Sequence, residues 1–306
     1  MDFVETPATR FADLPDFPWE PQFMEVDPAG LRMAWVEAGP EDGPVVLMLH
    51  GEPSWSFLYR FMIRDVAAAG YRVVAPDLIG FGRSSKPTAV RAYSYARHCR
   101  WVRRFIEQRD LRDITLFGQD WGSLIGLRLA AEMEPRFARV CIGNGFLPTG
   151  DPPGSLRKAL PNMAAFLAWR TIALYSPVFV ASKVLDLGTG RTLSEAERRA
   201  YDAPFPSRRH LAGARSFPAL VPTTPRDPAR EANVDAWRVL ERWEKPFLTL
   251  FSTGDPIMRG FDRVLQRRIP GAEGQPHARV RGGHFLQEDS GPELAEKLVA
   301  WMRADA

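Results

Sequence analysis

Gly118-Gln119-Asp120-Trp121-Gly122 has the G-x-S-x-G spacing of a nucleophile elbow, with aspartate where serine would stand. Ahead of it, Asp113-Ile114-Thr115-Leu116-Phe117 reads as a buried strand, and Ser123-Leu124-Ile125-Gly126-Leu127-Arg128-Leu129-Ala130-Ala131 behind it reads as a helix. Glycine on both sides permits the strained strand-to-helix turn that lifts one side chain above a sheet. The exchange of serine for aspartate changes the chemistry. A serine alkoxide suits acyl carbon, whereas a carboxylate suits displacement at an sp3 carbon and leaves an alkyl ester. The bland alternative makes Asp120 an N-cap on a glycine-rich helix start.

Working outward, more strand ends carry chemical groups. Pro44-Val45-Val46-Leu47-Met48-Leu49 runs into His50-Gly51-Glu52-Pro53-Ser54-Trp55, the place where an α/β-hydrolase supplies a backbone N–H to its oxyanion hole. Tyr71-Arg72-Val73-Val74-Ala75-Pro76-Asp77 leads into the glycine-punctuated loop Leu78-Ile79-Gly80-Phe81-Gly82-Arg83-Ser84. Lys245-Pro246-Phe247-Leu248-Thr249-Leu250-Phe251 is followed by Gly254-Asp255-Pro256, and Ala278-Arg279-Val280-Arg281 by Gly282-Gly283-His284-Phe285. Asp120, Asp255 and His284 thus stand in the order nucleophile, acid, histidine. Asp262 is a weaker candidate acid because it falls within a helical stretch, and Asp77 reads as a brace for its loop.

On these motifs the chain resembles the haloalkane dehalogenases along most of its length. His-Gly-Glu-Pro-x-Trp at 50–55, Asp-x-x-Gly-Phe-Gly-x-Ser at 77–84, Gln-Asp-Trp-Gly at 119–122 and Gly-His-Phe at 283–285 stand in that family's order. It is most similar to the branch with Glu after His-Gly and an Asp acid after the late strand. Other branches have Asn in place of Glu52, or a Glu acid where this chain has Asn144, which supports Asp255 as the acid.

The resemblance implies an α/β-hydrolase fold, a mostly parallel central sheet flanked by helices with an inserted helical cap. The core is expected at 1–146 and 230–306 and the cap at 147–229, where Pro148, Pro152, Pro153 and Gly154 change the texture. Helices are expected around 100–106, 160–185, 193–201 and 233–243. The implied reaction converts a small apolar haloalkane and water to a primary alcohol, halide and a proton. Asp120 attacks the halogen-bearing carbon, neutral His284 activates water against the ester, and Asp255 orients His284. Backbone N–H groups of Glu52 and Trp121 are the expected oxyanion donors, and Glu52 also the water-positioning side chain. Trp121 and the cap residue Trp169 are the expected halide ligands, because an indole N–H only donates. No metal or organic cofactor is called for.

Glu52 is awkward beside an anion unless its pKa is raised. Pro53 fits a tight turn of the kind that admits a cis bond. The nearest rival, an epoxide hydrolase with the same Asp–His–Asp machinery, needs cap tyrosines for its leaving oxygen, and Tyr175 and Tyr201 are the candidates. Phe166, Phe179 and Phe217 are expected to narrow the cavity. Trp101, Trp237, Trp243 and Trp301 read as structural, and His50 as packed or hydrogen-bonded. His98, His210 and His277 read as surface or satisfied polar positions.

At 306 residues and 45% hydrophobic content, the chain can build one large core plus an insertion. Its 40 basic residues are interleaved with 37 acids for a net charge of +3, which argues against nucleic acid. Cys99 and Cys141 suggest reduced thiols rather than a disulfide framework. With no signal peptide and no membrane-length apolar run, a cytoplasmic enzyme is expected, monomeric by default.

Overall fold

The computed structural model describes residues 1–151 and 156–304, the side chains of 156–163 and 165 excepted. In chain order the elements are β1 (Phe3–Val4), β2 (Gln22–Glu25), β3 (Arg32–Ala38), β4 (Val45–Leu49), α1 (Arg60–Ala68), β5 (Arg72–Pro76), β6 (Lys86–Pro87), α2 (Tyr95–Gln108), β7 (Ile114–Gln119), α3 (Trp121–Glu132) and β8 (Phe137–Gly143). Then come α4 (Leu156–Tyr175), α5 (Ala181–Gly188), α6 (Glu195–Asp202), α7 (Ala212–Leu220), α8 (Arg230–Leu240), β9 (Phe247–Ser252), α9 (Phe261–Arg268), β10 (Ala278–Val280) and α10 (Leu286–Ala304).

Eight strands form one sheet in the order β10-β9-β8-β7-β4-β5-β3-β2. From β5 to β10 all pairings are parallel, and β3 and β2 close one edge antiparallel. The central strands are continuous apolar runs, Val-Val-Leu-Met-Leu in β4 and Phe-Leu-Thr-Leu-Phe in β9, because helices cover both faces. One face packs Val102, Phe105, Ile125 and Leu240 from α2, α3 and α8; the other packs Met62, Ile63, Leu294 and Leu298 from α1 and α10. Each such side chain contributes roughly 1.5–3 kcal/mol on full burial.

The five strands read from apolar runs, β4, β5, β7, β9 and β10, lie within one or two residues of their expected bounds. The inserted helices differ more. The stretch 160–185 is two helices, broken after Tyr175 at Ser176-Pro177, since proline disfavours α geometry in the residue before it. Helix α7 has no counterpart in the sequence reading, because Gly213 and Pro218 disguise it. Among the described residues, no helix is long and apolar enough to cross a membrane.

Candidate active site

Asp120 sits at the turn between β7 and α3 with φ 49° and ψ −125°, a conformation that costs a non-glycine residue roughly 1–3 kcal/mol. Its surroundings over-determine that turn. The Asp120 N–H donates to the Asn144 carbonyl at 3.1 Å, and its own carbonyl accepts from the Ser123 hydroxyl at 2.6 Å. Gly122 is required next door: a Cβ there would lie 1.8 Å from the Leu49 carbonyl oxygen, so α3 starts directly against the end of β4. Across that approach, the Glu52 N–H donates to Asp120 Oδ1 at 2.8 Å. The Glu52–Pro53 bond is cis.

His284 lies after β10, with Nε2 3.5 Å from Asp120 Oδ2 and Nδ1 donating to Asp255 Oδ2 at 2.8 Å. Asp255, buried in the loop after β9, also accepts the N–H groups of Ile257 (2.7 Å) and Met258 (3.2 Å) on Oδ1. Three sequence-distant groups thus meet above the sheet. Burial would raise the Asp255 pKa, but His284 and these donors hold it below the usual carboxylate range. Burial favours a neutral His284, yet the carboxylates of Asp255 and Asp120 outweigh it and push the ring up to about 10. That shift belongs to the free enzyme, where both carboxylates face the ring, and the neutral His284 expected in the sequence concerns the later step in which Asp120 is esterified.

Glu52 is buried, and its Oε1 has no partner among the described residues. Desolvation, reinforced by the charge of Asp120, pushes its carboxyl well above the usual range, which favours the neutral acid. Trp121 is buried between Phe217, stacked at 4.4 Å and 22°, and the edge of Tyr95 at 5.2 Å. Trp169, in α4, is half-buried 6.2 Å from Phe179. Among the described residues, neither indole N–H has an acceptor.

The tyrosines that an epoxide hydrolase would need differ in their surroundings. Tyr175 is 78% exposed, and Tyr201 is buried with its hydroxyl donating to Glu288. His50 is structural: Nδ1 donates to the Gly51 carbonyl and Nε2 accepts the Leu78 N–H. His98 is a correction, being neither surface nor satisfied. It is buried among Tyr93, Trp101 and Phe217 with neither ring nitrogen partnered among the described residues, and burial pushes its pKa down to about 3. His210 contacts the Ser207 hydroxyl and His277 that of Thr249. Asp77 accepts the Ser56 and Arg83 N–H groups, and Asp262 pairs with Arg279.

Sequence reading missed two holders of the histidine. Asn144 Nδ2 donates to the Gly283 carbonyl (2.9 Å) and the His284 carbonyl (3.0 Å), and Gln119 Nε2 donates to the latter at 3.2 Å. Their signal was position: each sits at the tip of a strand beside the elbow.

The family model described as alpha/beta hydrolase fold matches residues 44–290. A haloalkane dehalogenase of Mycolicibacterium paratuberculosis is 52% identical, over 99% of this chain and 99% of its own length. One from Psychrobacter cryohalolentis is 48% identical over 99% and 98%. Among solved structures, the tetrameric haloalkane dehalogenase DpaA from Paraglaciecola agarilytica superposes with a TM-score of 0.88 at 32% identity, covering 97% of each chain. Sequence similarity at this level over the full length, joined to an elbow that presents aspartate to a histidine, makes this chain a member of the haloalkane dehalogenase family.

Proposed function

We propose that the chain hydrolyses haloalkanes to a primary alcohol, halide and a proton through a covalent ester on Asp120. The observation that carries this reading is the His284 ring, 3.5 Å from Asp120 and 2.8 Å from Asp255. Because Oδ1 accepts the Glu52 N–H, Oδ2 is the freer oxygen and the one that attacks. The carbon–halogen electron pair leaves with the halide, and a C–Oδ2 bond forms. The indole N–H groups of Trp121 and Trp169 take the halide, while Tyr95 and Phe217 hold Trp121 in place.

Esterification neutralises Asp120 and removes one of the two charges that keep His284 protonated. The ring then loses its proton to solvent and becomes available as a base. It takes a proton from water, whose oxygen adds to Cγ of Asp120. The oxyanion forms on Oδ1, where the Glu52 N–H already points and the Trp121 N–H joins it. Collapse expels the alcohol, and Asp255 stabilises the imidazolium meanwhile.

The mobile partners in this scheme are haloalkane, water and halide. Residues 147–229 serve as the cap that brings Trp169 to the site. All the named groups belong to one chain, so a single subunit suffices. Two buried free cysteines, Cys99 and Cys141, suit a reducing cytoplasm. Bromide release from 1,2-dibromoethane or 1-bromobutane, with styrene oxide consumption run in parallel, tests the reading. Bromide release abolished in Asp120→Asn supports it, and epoxide turnover without bromide overturns it.

A further inference from the structure

The backbone that carries His284 is held from two sides. Asn144 and Gln119 grip its carbonyl from the sheet. On the other side stands Asp289, in the first turn of α10. Its Oδ2 accepts the N–H of Gly283, the residue before His284, at 2.7 Å. Both its oxygens accept the N–H of Gly190, at 2.9 and 2.8 Å, in the loop between α5 and α6. Just before that loop, the carbonyl of Gly188 at the end of α5 accepts the N–H of Phe285, the residue after His284, at 3.2 Å. Residue 282 leaves room for this arrangement: Gly282 has φ +152°, and a Cβ there would fall 2.8 Å from both Cβ and Oδ2 of Asp289. The same loop is pinned a second time, by Arg191 Nε donating to the Glu288 carbonyl at 3.0 Å.

We propose that Asp289 is a positioning residue for the base. It bridges Gly283 to Gly190, sets how far His284 reaches toward Asp120, and makes that reach depend on the loop 188–191 of the inserted region. The inference rests on the reading that His284 hydrolyses an ester on Asp120. Ester formation uses Asp120, set by the elbow and the Glu52 N–H, and the indole donors for the halide, while the hydrogen bonds of Asp289 go to Gly190 and Gly283. Ester hydrolysis needs the ring in register, and a misplacement of about 1 Å costs on the order of 100-fold. Loss of Asp289 therefore slows the second half-reaction and spares the first.

Rapid-quench intact-mass spectrometry of the full chain with 1-bromobutane measures both steps, with His284→Phe as reference. In Asp289→Ala the ester should form within about 2-fold of the parent rate and decay about 10-fold or more slowly. Asp289→Asn keeps the size and one acceptor oxygen, so it should show a smaller slowing of decay with formation unchanged. Equal slowing of formation and decay in Asp289→Ala, or unchanged decay in a folded Asp289→Asn, overturns the proposal, even if Asp289→Ala does not fold. If His284→Phe itself accumulates no ester, the proposed function fails instead, and the two failures are told apart.

Discussion

The Glu52 backbone N–H holds one oxygen of the Asp120 carboxylate at 2.8 Å and leaves the other facing His284, so the two oxygens are chemically different. A single turnover in heavy-oxygen water should therefore give an alcohol carrying the oxygen originally in Asp120, with solvent oxygen appearing in the carboxylate. Mass spectrometry of the alcohol and of the peptide containing Asp120 reads both. Solvent oxygen in the first-turnover alcohol would mean direct attack of water on the substrate.

His284→Phe removes the base and leaves the nucleophile. One equivalent of bromide per enzyme should be released, and the alkyl adduct on Asp120 should persist, with turnover down about 100-fold or more. A folded variant with no adduct in its intact mass would falsify the two-step scheme.

Trp169→Phe and Trp121→Phe each delete an indole donor. Loss of one hydrogen bond to an anion corresponds to roughly 1.5–3 kcal/mol, so bromide affinity should fall about 10- to 100-fold in each. Titration calorimetry with bromide measures this. Unchanged affinity in Trp169→Phe moves the second donor to another residue.

Burial and the neighbouring Asp120 raise the Glu52 carboxyl above its ordinary value of 4.5 in the folded chain. A raised folded pKa means stability that is full below the unfolded value and lost as pH rises through the folded one. Glu52→Gln, neutral at every pH, should flatten that loss. Urea midpoints of both proteins at pH 5 and pH 8 decide it, and an unchanged pH slope speaks for an ionised Glu52.

Arg60 is fully buried, donating to Glu288 at 2.8 Å and to Glu197 at 2.7 Å. Tyr201 and Arg191 complete the cluster on the same two carboxylates. Arg60→Leu strands negative charge in the interior and should cost about 3–5 kcal/mol in denaturant unfolding. A loss below 1 kcal/mol would mean that water reaches the cluster.

The sheet was legible because buried parallel strands are unbroken apolar runs, and each reactive group follows one of them. Asp120, His284 and Asp255 were found by position relative to β7, β10 and β9. What escaped depends on partners brought from far along the chain. Glu288 and Asp289 read as surface charge in a helix start until Arg60 and Gly190 arrive. His98 has Tyr93 and Trp101 close by in sequence, but nothing local shows that Trp121 and Phe217 also lie against it. Phe217 was expected beside the cavity without its mode of contact, since helix α7 was hidden and the stack on Trp121 with it.

Both rims of the sheet are short. Strand β2 has four residues and ends in Glu25, with Arg32 of β3 lying over the Phe23 ring at 5.1 Å. Strand β10 has three, one of them Arg279 in its pair with Asp262. So little free ladder, interrupted by charge, is a poor template for a further strand. Crowded copies of this protein are thereby guarded against zipping sheet to sheet.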